Sequence, residues 1–71
     1  NMFGLKLTSY EKRIIGTLVA AGHTLSVTGE GWVFGEAGGD TQVFESYRDF
    51  FNFCEGRESQ ITLVREMAET F

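Results

Sequence analysis

The sequence predicts a small α+β domain, in which two helices pack on one face of an antiparallel sheet. Two segments repeat apolar residues at helical spacing, and between them an alternating polar and apolar stretch reverses at glycines. The length of 71 residues suits one domain, which we expect to cover residues 2–71. Asn1 stands ahead of Met2, and we interpret it as a remnant of expression rather than as the natural start.

The first helix is predicted over residues 9–21. Thr8 and Glu11 have the spacing of a capping box, in which each side chain bonds the other residue's backbone N–H. Gly22 follows the last apolar position, where a residue in the left-handed conformation can end the helix. Gly16 weakens this helix or marks a close approach of another backbone. The apolar positions share half of a helical wheel: Tyr10, Ile14, Ile15, Leu18, Val19 and Ala21.

A β-hairpin is predicted over residues 24–36. Residues 24–28 alternate polar and apolar side chains, which is typical of a half-buried strand. The Gly29-Glu30-Gly31 reversal follows, and the strand-forming residues of 32–34 come next. A dinucleotide-binding glycine fingerprint would need glycine at Phe34, so the glycines indicate a tight turn and not a phosphate loop.

The second helix is predicted over residues 41–55, with Asp40 as its N-cap and Gly56 as its end. Its apolar residues fall within an arc of about 120° on the helical wheel. They are Phe50, Val43, Cys54, Tyr47, Phe51 and Phe44.

The tail allows two interpretations. Residues 60–63 alternate, and β-branched residues favour a third strand over 60–65 with a short helical end. The alternative is a helix capped by Ser59, because five apolar residues also have helical spacing: Ile61, Val64, Met67, Ala68 and Phe71.

Composition excludes several classes of function. With one cysteine, Cys54, and one histidine, His23, neither a disulfide framework nor a Cys/His zinc site can form. The net charge of −4 with no cluster of basic residues argues against direct nucleic-acid binding. The sequence contains no apolar run of about 18 residues and no secretory signal, so we expect a cytoplasmic protein without membrane contact. Nothing predicts an enzyme, a cofactor, a metal or a small-molecule ligand, because His23 and Cys54 lack any catalytic spacing.

A protein-binding role is the leading prediction. A sheet covered on one face leaves the other open, with either Trp32 and Phe34 or Val33 pointing there. We expect Trp32, Phe34 and Phe53 to form a surface buried in a homodimer or against another protein. Four acidic residues would form its rim: Glu36, Asp40, Glu45 and Asp49. The alternative function is an acidic inhibitor that imitates nucleic-acid charge and binds a nucleic-acid-binding protein.

The run from Leu18 to Val27 passes from helix through Gly22 into a strand, then through the glycine turn to Trp32-Val33 and an acid-capped helix. This layout, over residues 8–64, resembles short proteins of unassigned activity encoded by bacteriophages, prophages and bacterial genomes. The resemblance implies a binding function, such as inhibition of a host or defence protein in the host cytoplasm, and assigns no functional residue.

Overall fold

A computed structural model describes residues 6–70. The elements in chain order are α1 (Ser9–Ala20), β1 (Thr24–Thr28), β2 (Gly31–Gly35), β3 (Thr41–Phe44) and α2 (Tyr47–Thr70). The strands form one antiparallel sheet in the order β1–β2–β3, and the helices cover one of its faces, which confirms the predicted α+β class. The expectations for Asn1 and Met2, and for Phe71 as a helical residue, lie outside the described residues.

Helix α1 begins and ends as predicted. Thr8 accepts the N–H of Glu11 at 3.1 Å, and Glu11 accepts the N–H of Thr8 at 2.9 Å, so both halves of the capping box form. At the other end Gly22 has a φ of 94°, and the N–H of His23 reaches back to the carbonyl of Leu18 at 3.1 Å. This is a Schellman ending, which needs glycine at the left-handed position.

The predicted hairpin is also present, and its register decides which side chains face the helices. Leu25 pairs with Phe34, and Phe34 pairs with Gln42, so these residues share the helix-facing side of the sheet. Ser26, Val33 and Val43 are aligned across the three strands on the opposite side. The open face therefore carries Val33, and Trp32 and Phe34 point towards the helices.

The start of the second predicted helix was wrong, because residues 41–44 form β3. Phe44 packs on the core while Val43 is exposed, which is the alternation of a strand and not the shared face of a helix. Asp40 consequently caps no helix. The side chain of Ser46 accepts the N–H of Asp49 at 3.2 Å and its carbonyl accepts the N–H of Phe50 at 3.1 Å, so α2 is capped six residues later than predicted.

The predicted strand over 60–65 was wrong as well, and so was the end at Gly56. Helix α2 runs through both, and Gly56 has no positive φ. Cys54 and Glu58 are buried on either side of Gly56, and Ile61 packs against the core one turn later. These anchors hold the segment helical despite the unfavourable propensity of glycine. The alternative helical spacing of the tail was therefore correct, although it continues α2 rather than starting a helix at Ser59.

One apolar core joins the two layers. Its buried members come from both helices, β2 and no other element: Ile14, Ile15, Leu18, Phe34, Phe50 and Cys54. Polar contacts join the two helices, and residues later in α1 contact residues later in α2. Tyr10 donates to Glu55, and Arg13 donates to the buried Glu58 at 3.1 Å. The two helices therefore run parallel, and the end of α1 lies near the middle of α2.

Candidate interaction surface

Trp32, Phe34 and Phe53 do not form the exposed surface that the sequence predicted. Phe34 is fully buried, so its assignment to a surface was wrong. Trp32 is half-buried against the rings of Tyr47 and Phe50, with ring centroids 4.8 and 5.7 Å away. The physical reason is the register, which turns residues 32 and 34 towards α2.

Phe53 lies on α2 against the sheet, which covers most of its side chain. Its ring centroid is 4.9 Å from that of Phe34 and 5.3 Å from that of Phe44. The guanidinium carbon of Arg57 lies 5.1 Å from the ring centroid and covers part of what remains. Phe53 is therefore half-buried and fixes α2 on the sheet.

Glu36 is part of a charged cluster at the end of β2. Two guanidinium nitrogens of Arg57 donate to its two carboxylate oxygens at 2.5 and 2.9 Å. These bonds hold the pKa of Glu36 below its ordinary value. His23 lies beside the same carboxylate, with Nδ1 3.8 Å from Oε1, and its ring packs on Phe34 at 4.9 Å between centroids.

The other three predicted rim residues are exposed but lie apart. Asp40 precedes β3 and Glu45 follows it, so about 17 Å of extended chain separates them. Asp49 lies in the first turn of α2, four residues after Glu45. The acidic residues therefore occupy both ends of the sheet and do not surround one surface.

Cys54 and His23 are both covered by neighbouring residues. Cys54 is fully buried, and burial raises the pKa of its thiol to about 12. The His23 side chain is 10% exposed, and its Nδ1 is buried without a hydrogen-bond partner. Among residues 6–70, no three His, Cys, Asp or Glu side chains converge as a metal site would require.

The large apolar side chains with the highest exposed fractions lie on the distal part of α2. Leu63, Val64 and Met67 are 57%, 64% and 51% exposed, and we call these three residues the distal strip. They are exposed because α2 has 24 residues and α1 has 12, lengths of about 36 and 18 Å. The parallel arrangement leaves the last turns of α2 without a helix beside them.

A groove of about 550 Å³ adjoins the distal strip where α1 ends. Three of its lining residues are apolar, Ala21, Ile61 and Val64, and the other three are Arg57, Gln60 and Arg65. The strip and the groove share Val64, so they form one continuous surface of mainly apolar residues with Arg65 and Gln60 beside them.

Sequence reasoning missed this surface because it ended the second helix at Gly56. The signal was present as a helical spacing that resumes in phase after Gly56, with Phe50 and Cys54 before it and Ile61, Val64 and Ala68 after it. With a strand assigned to 60–65, Leu63 and Val64 fell on different elements from Met67, and no patch was apparent.

The chain matches no known family model, and comparisons with curated proteins and with solved structures gave no significant match. Within the part of the chain that the structure describes, neither helix combines the length and the apolar character needed to cross a bilayer.

Proposed function

We propose that this protein acts by binding another protein through the distal strip of α2 and the adjoining groove. The observation that carries the proposal is the exposure of Leu63, Val64 and Met67 on consecutive turns of one helix. Isolated apolar residues are common on protein surfaces, but a contiguous group beside an apolar groove is typical of an interaction site. Gln60 and Arg65, which line the groove beside the apolar residues, are part of the polar rim that an ordinary interface has.

The energetics agree with such a role. Fully burying one large aliphatic side chain contributes about 1.5–3 kcal/mol. Each residue of the distal strip is about half exposed, so burying the rest of it against a partner would contribute roughly half of that amount. The three together offer on the order of 3 kcal/mol on contact, which supports a partner helix or loop when the groove is also filled. The helical backbone is already formed, so the strip needs little ordering on binding.

A second copy of the chain is one partner that the proposal includes. A twofold homodimer uses the same patch on both subunits, and a strip with an adjoining groove can meet its own copy in that way. Sedimentation velocity distinguishes the two forms of the proposal. A sedimentation coefficient that rises with concentration in the parent, and does not rise in Met67→Ser, identifies self-association through the strip. A monomer at every concentration would exclude the homodimer and leave a different protein as the proposed partner.

Binding rather than catalysis is supported by where the reactive side chains lie. The thiol of Cys54 is buried with a pKa of about 12, so little nucleophilic thiolate exists at neutral pH. The imidazole of His23 is almost covered by its neighbours. Our proposal also places the protein in the cytoplasm, where an unpaired cysteine stays reduced. A phage-encoded inhibitor of a host or defence protein would act in the host cytoplasm in this way.

Charge mimicry is the second proposed function, and one observation favours it. Glu30 lies in the turn beside Gly31, whose backbone approaches Glu45, and Asp49 follows one helical turn later, so three exposed carboxylates gather at one end of the sheet. Asp40 lies at the opposite end and Glu36 is held by Arg57, which leaves the group small. If the protein acts by charge mimicry, binding should be lost at high salt and in the double variant Glu45→Gln with Asp49→Asn. If it binds through the distal strip, neither the added salt nor the double variant should weaken binding.

Site-specific photo-crosslinking tests the proposed function. A benzophenone amino acid replaces Met67 in one variant and Val19 in the other, because Val19 is a 46% exposed apolar residue on α1 and so gives a matched control. We expect a discrete crosslinked product, with another protein or a second copy, from position 67 and none from position 19. Equal products from both positions, or none from position 67, would contradict the proposal.

A further inference from the structure

Strand β3 presents free backbone groups at one edge of the sheet. The strand order places β2 in the centre, and within residues 6–70 no strand lies on the far side of β3. The N–H of Glu36 donates to the carbonyl of Asp40 at 2.6 Å, which makes this a hydrogen-bonded pair in the β2–β3 register. Such pairs alternate along an antiparallel ladder. Gln42 and Phe44 therefore bond to β2.

The alternation has a direct consequence for Thr41 and Val43. Both occupy the non-bonded positions opposite Gly35 and Val33, so their N–H and C=O groups point away from β2. Two residues thus offer two donors and two acceptors at the free edge. This is the pattern that an additional strand satisfies.

Strand β3 is short, with four residues, but it lacks several other features that usually protect an edge. Its sequence, Thr41-Gln42-Val43-Phe44, contains no charge and no proline, and it pairs with β2 without a bulge. Val43 is 48% exposed and lies beside Val33 on the open face of the sheet. An added strand with an apolar residue next to Val43 would extend this pair and cover it.

Acidic residues stand at both ends of the strand and specify the partner. Asp40 and Glu45 are exposed, and neither has an ion-pair partner among the described residues. In an antiparallel pairing of two copies of β3, the outward-facing Thr41 would lie opposite Val43 of the second copy. Asp40 would then lie within one residue of Glu45 of that copy at each end, where like charges repel. A strand with Lys or Arg at both ends would instead place opposite charges at both positions. The edge therefore disfavours self-pairing and favours a basic partner.

We propose that β3 binds an extended segment of a partner protein that carries an apolar residue beside Val43 and a Lys or Arg at each end. Backbone hydrogen bonds to Thr41 and Val43 hold the segment, and Asp40 and Glu45 bind its basic ends. This surface is separate from the distal strip, and it goes beyond the proposed function in naming the conformation and charge of its partner.

Two peptides test the proposal against the whole chain by ¹⁵N NMR titration. The probe is acetyl-Lys-Thr-Val-Thr-Val-Lys-amide, whose lysines have the same separation as Asp40 and Glu45, and the matched control replaces both lysines with glutamate. We expect shifts confined to residues 40–45 and their neighbours in β2, with binding weaker for the glutamate peptide by about tenfold or more. Shifts spread over all acidic residues, or no shift with the lysine peptide, would overturn the proposal.

Two variants separate strand pairing from simple charge attraction. Val43→Pro removes an outward N–H that β2 does not use, so we expect the hairpin to persist and peptide binding to be lost. Asp40→Lys with Glu45→Lys leaves the backbone unchanged, and we expect it to bind the glutamate peptide and reject the lysine peptide. The charge-reversed variant decides the outcome if Val43→Pro does not fold, and unchanged peptide preference in it would refute the proposal.

Discussion

Arg57 binds Glu36 through two guanidinium nitrogens and at the same time covers the ring of Phe34, with its guanidinium carbon 5.3 Å from the centroid. The contact joins the middle of α2 to the residue after β2 and closes one end of the core. A planar guanidinium can bind both carboxylate oxygens and lie over an aromatic ring, which an ammonium cannot do equally well. Arginine at this position is therefore part of the packing as well as of the ion pair.

The pair predicts a pH dependence of stability. Hydrogen bonds from Arg57 hold the pKa of Glu36 below the ordinary value of a glutamate carboxyl. Its contribution to stability is therefore present above that ordinary pKa and is lost as the pH falls through the lower pKa of the folded state. We expect Glu36→Gln to melt at a lower temperature than the parent at pH 7, and the two melting curves to converge in acid. A constant difference between the melting temperatures at every pH would contradict this.

Replacing Gly56 with alanine should stabilise the protein. Gly56 lies within α2, is exposed, and a Cβ added there meets nothing within 4 Å. Alanine in a helix is favoured over glycine by about 1 kcal/mol, so we expect Gly56→Ala to raise the free energy of unfolding by about that amount. Gly16→Ala should do the same, because Gly16 also has open space and no backbone approaches it.

Gly31→Ala is the matched control for these substitutions. Gly31 lies in β2 with a φ of 138°, and a Cβ there would overlap the backbone carbonyl oxygen of Phe44. We expect this change to destabilise the protein by about 1–3 kcal/mol, as overpacking does. Urea denaturation of the three variants measures both signs, and a loss of stability in Gly56→Ala would disprove the explanation given for the continuous helix.

The glycines also define how far the sequence could predict the fold. Gly22 and Gly56 each come after an apolar helical stretch, yet only Gly22 ends a helix. The difference lies in the next segment of the chain, because the residues after Gly22 enter a strand, while Ile61 after Gly56 packs against residues that are distant in sequence. Local patterns therefore predicted α1 and the hairpin, whose signals are local. The length of α2 and the identity of β3 depend on tertiary contacts.

The candidate surface shows the same division. The sequence predicted an open sheet face but could not decide whether Val33 or its neighbours occupied it, because that requires the position of α2. The pair of Arg57 with Glu36 spans 21 positions and has no local signal. Once α2 is continuous, the distal strip is expected from the spacing of its apolar residues.

The buried position of Phe34 predicts a large loss of stability on truncation. Its side chain is fully covered and contacts the rings of His23 and Phe53. We expect Phe34→Ala to lower the free energy of unfolding by about 3–5 kcal/mol. The half-exposed Val43 is the control, since Val43→Thr should change it by about 0.5 kcal/mol or less. If chemical denaturation gave similar changes in the free energy of unfolding for the two variants, the burial of Phe34 would be contradicted.

Cys54 should resist thiol reagents in the native protein. The thiol is buried, and its pKa of about 12 leaves almost none of it ionised at pH 8. We expect labelling by a chromogenic disulfide to proceed only after addition of denaturant, with one thiol released per chain. Rapid labelling without denaturant would show that the contact between α2 and the core opens readily.

The most direct test of the central claim is quantitative affinity capture with three forms of the chain. The parent is compared with Val64→Ser combined with Met67→Ser, which removes most of the distal strip, and with Val19→Ser as the matched apolar control. We expect the parent and the control to enrich the same protein, or a second copy of the chain, by about tenfold over the double variant. All three should melt within about 4 °C of one another, since the changed side chains are exposed. Equal capture by the parent and the double variant would contradict the assignment of binding to the end of α2.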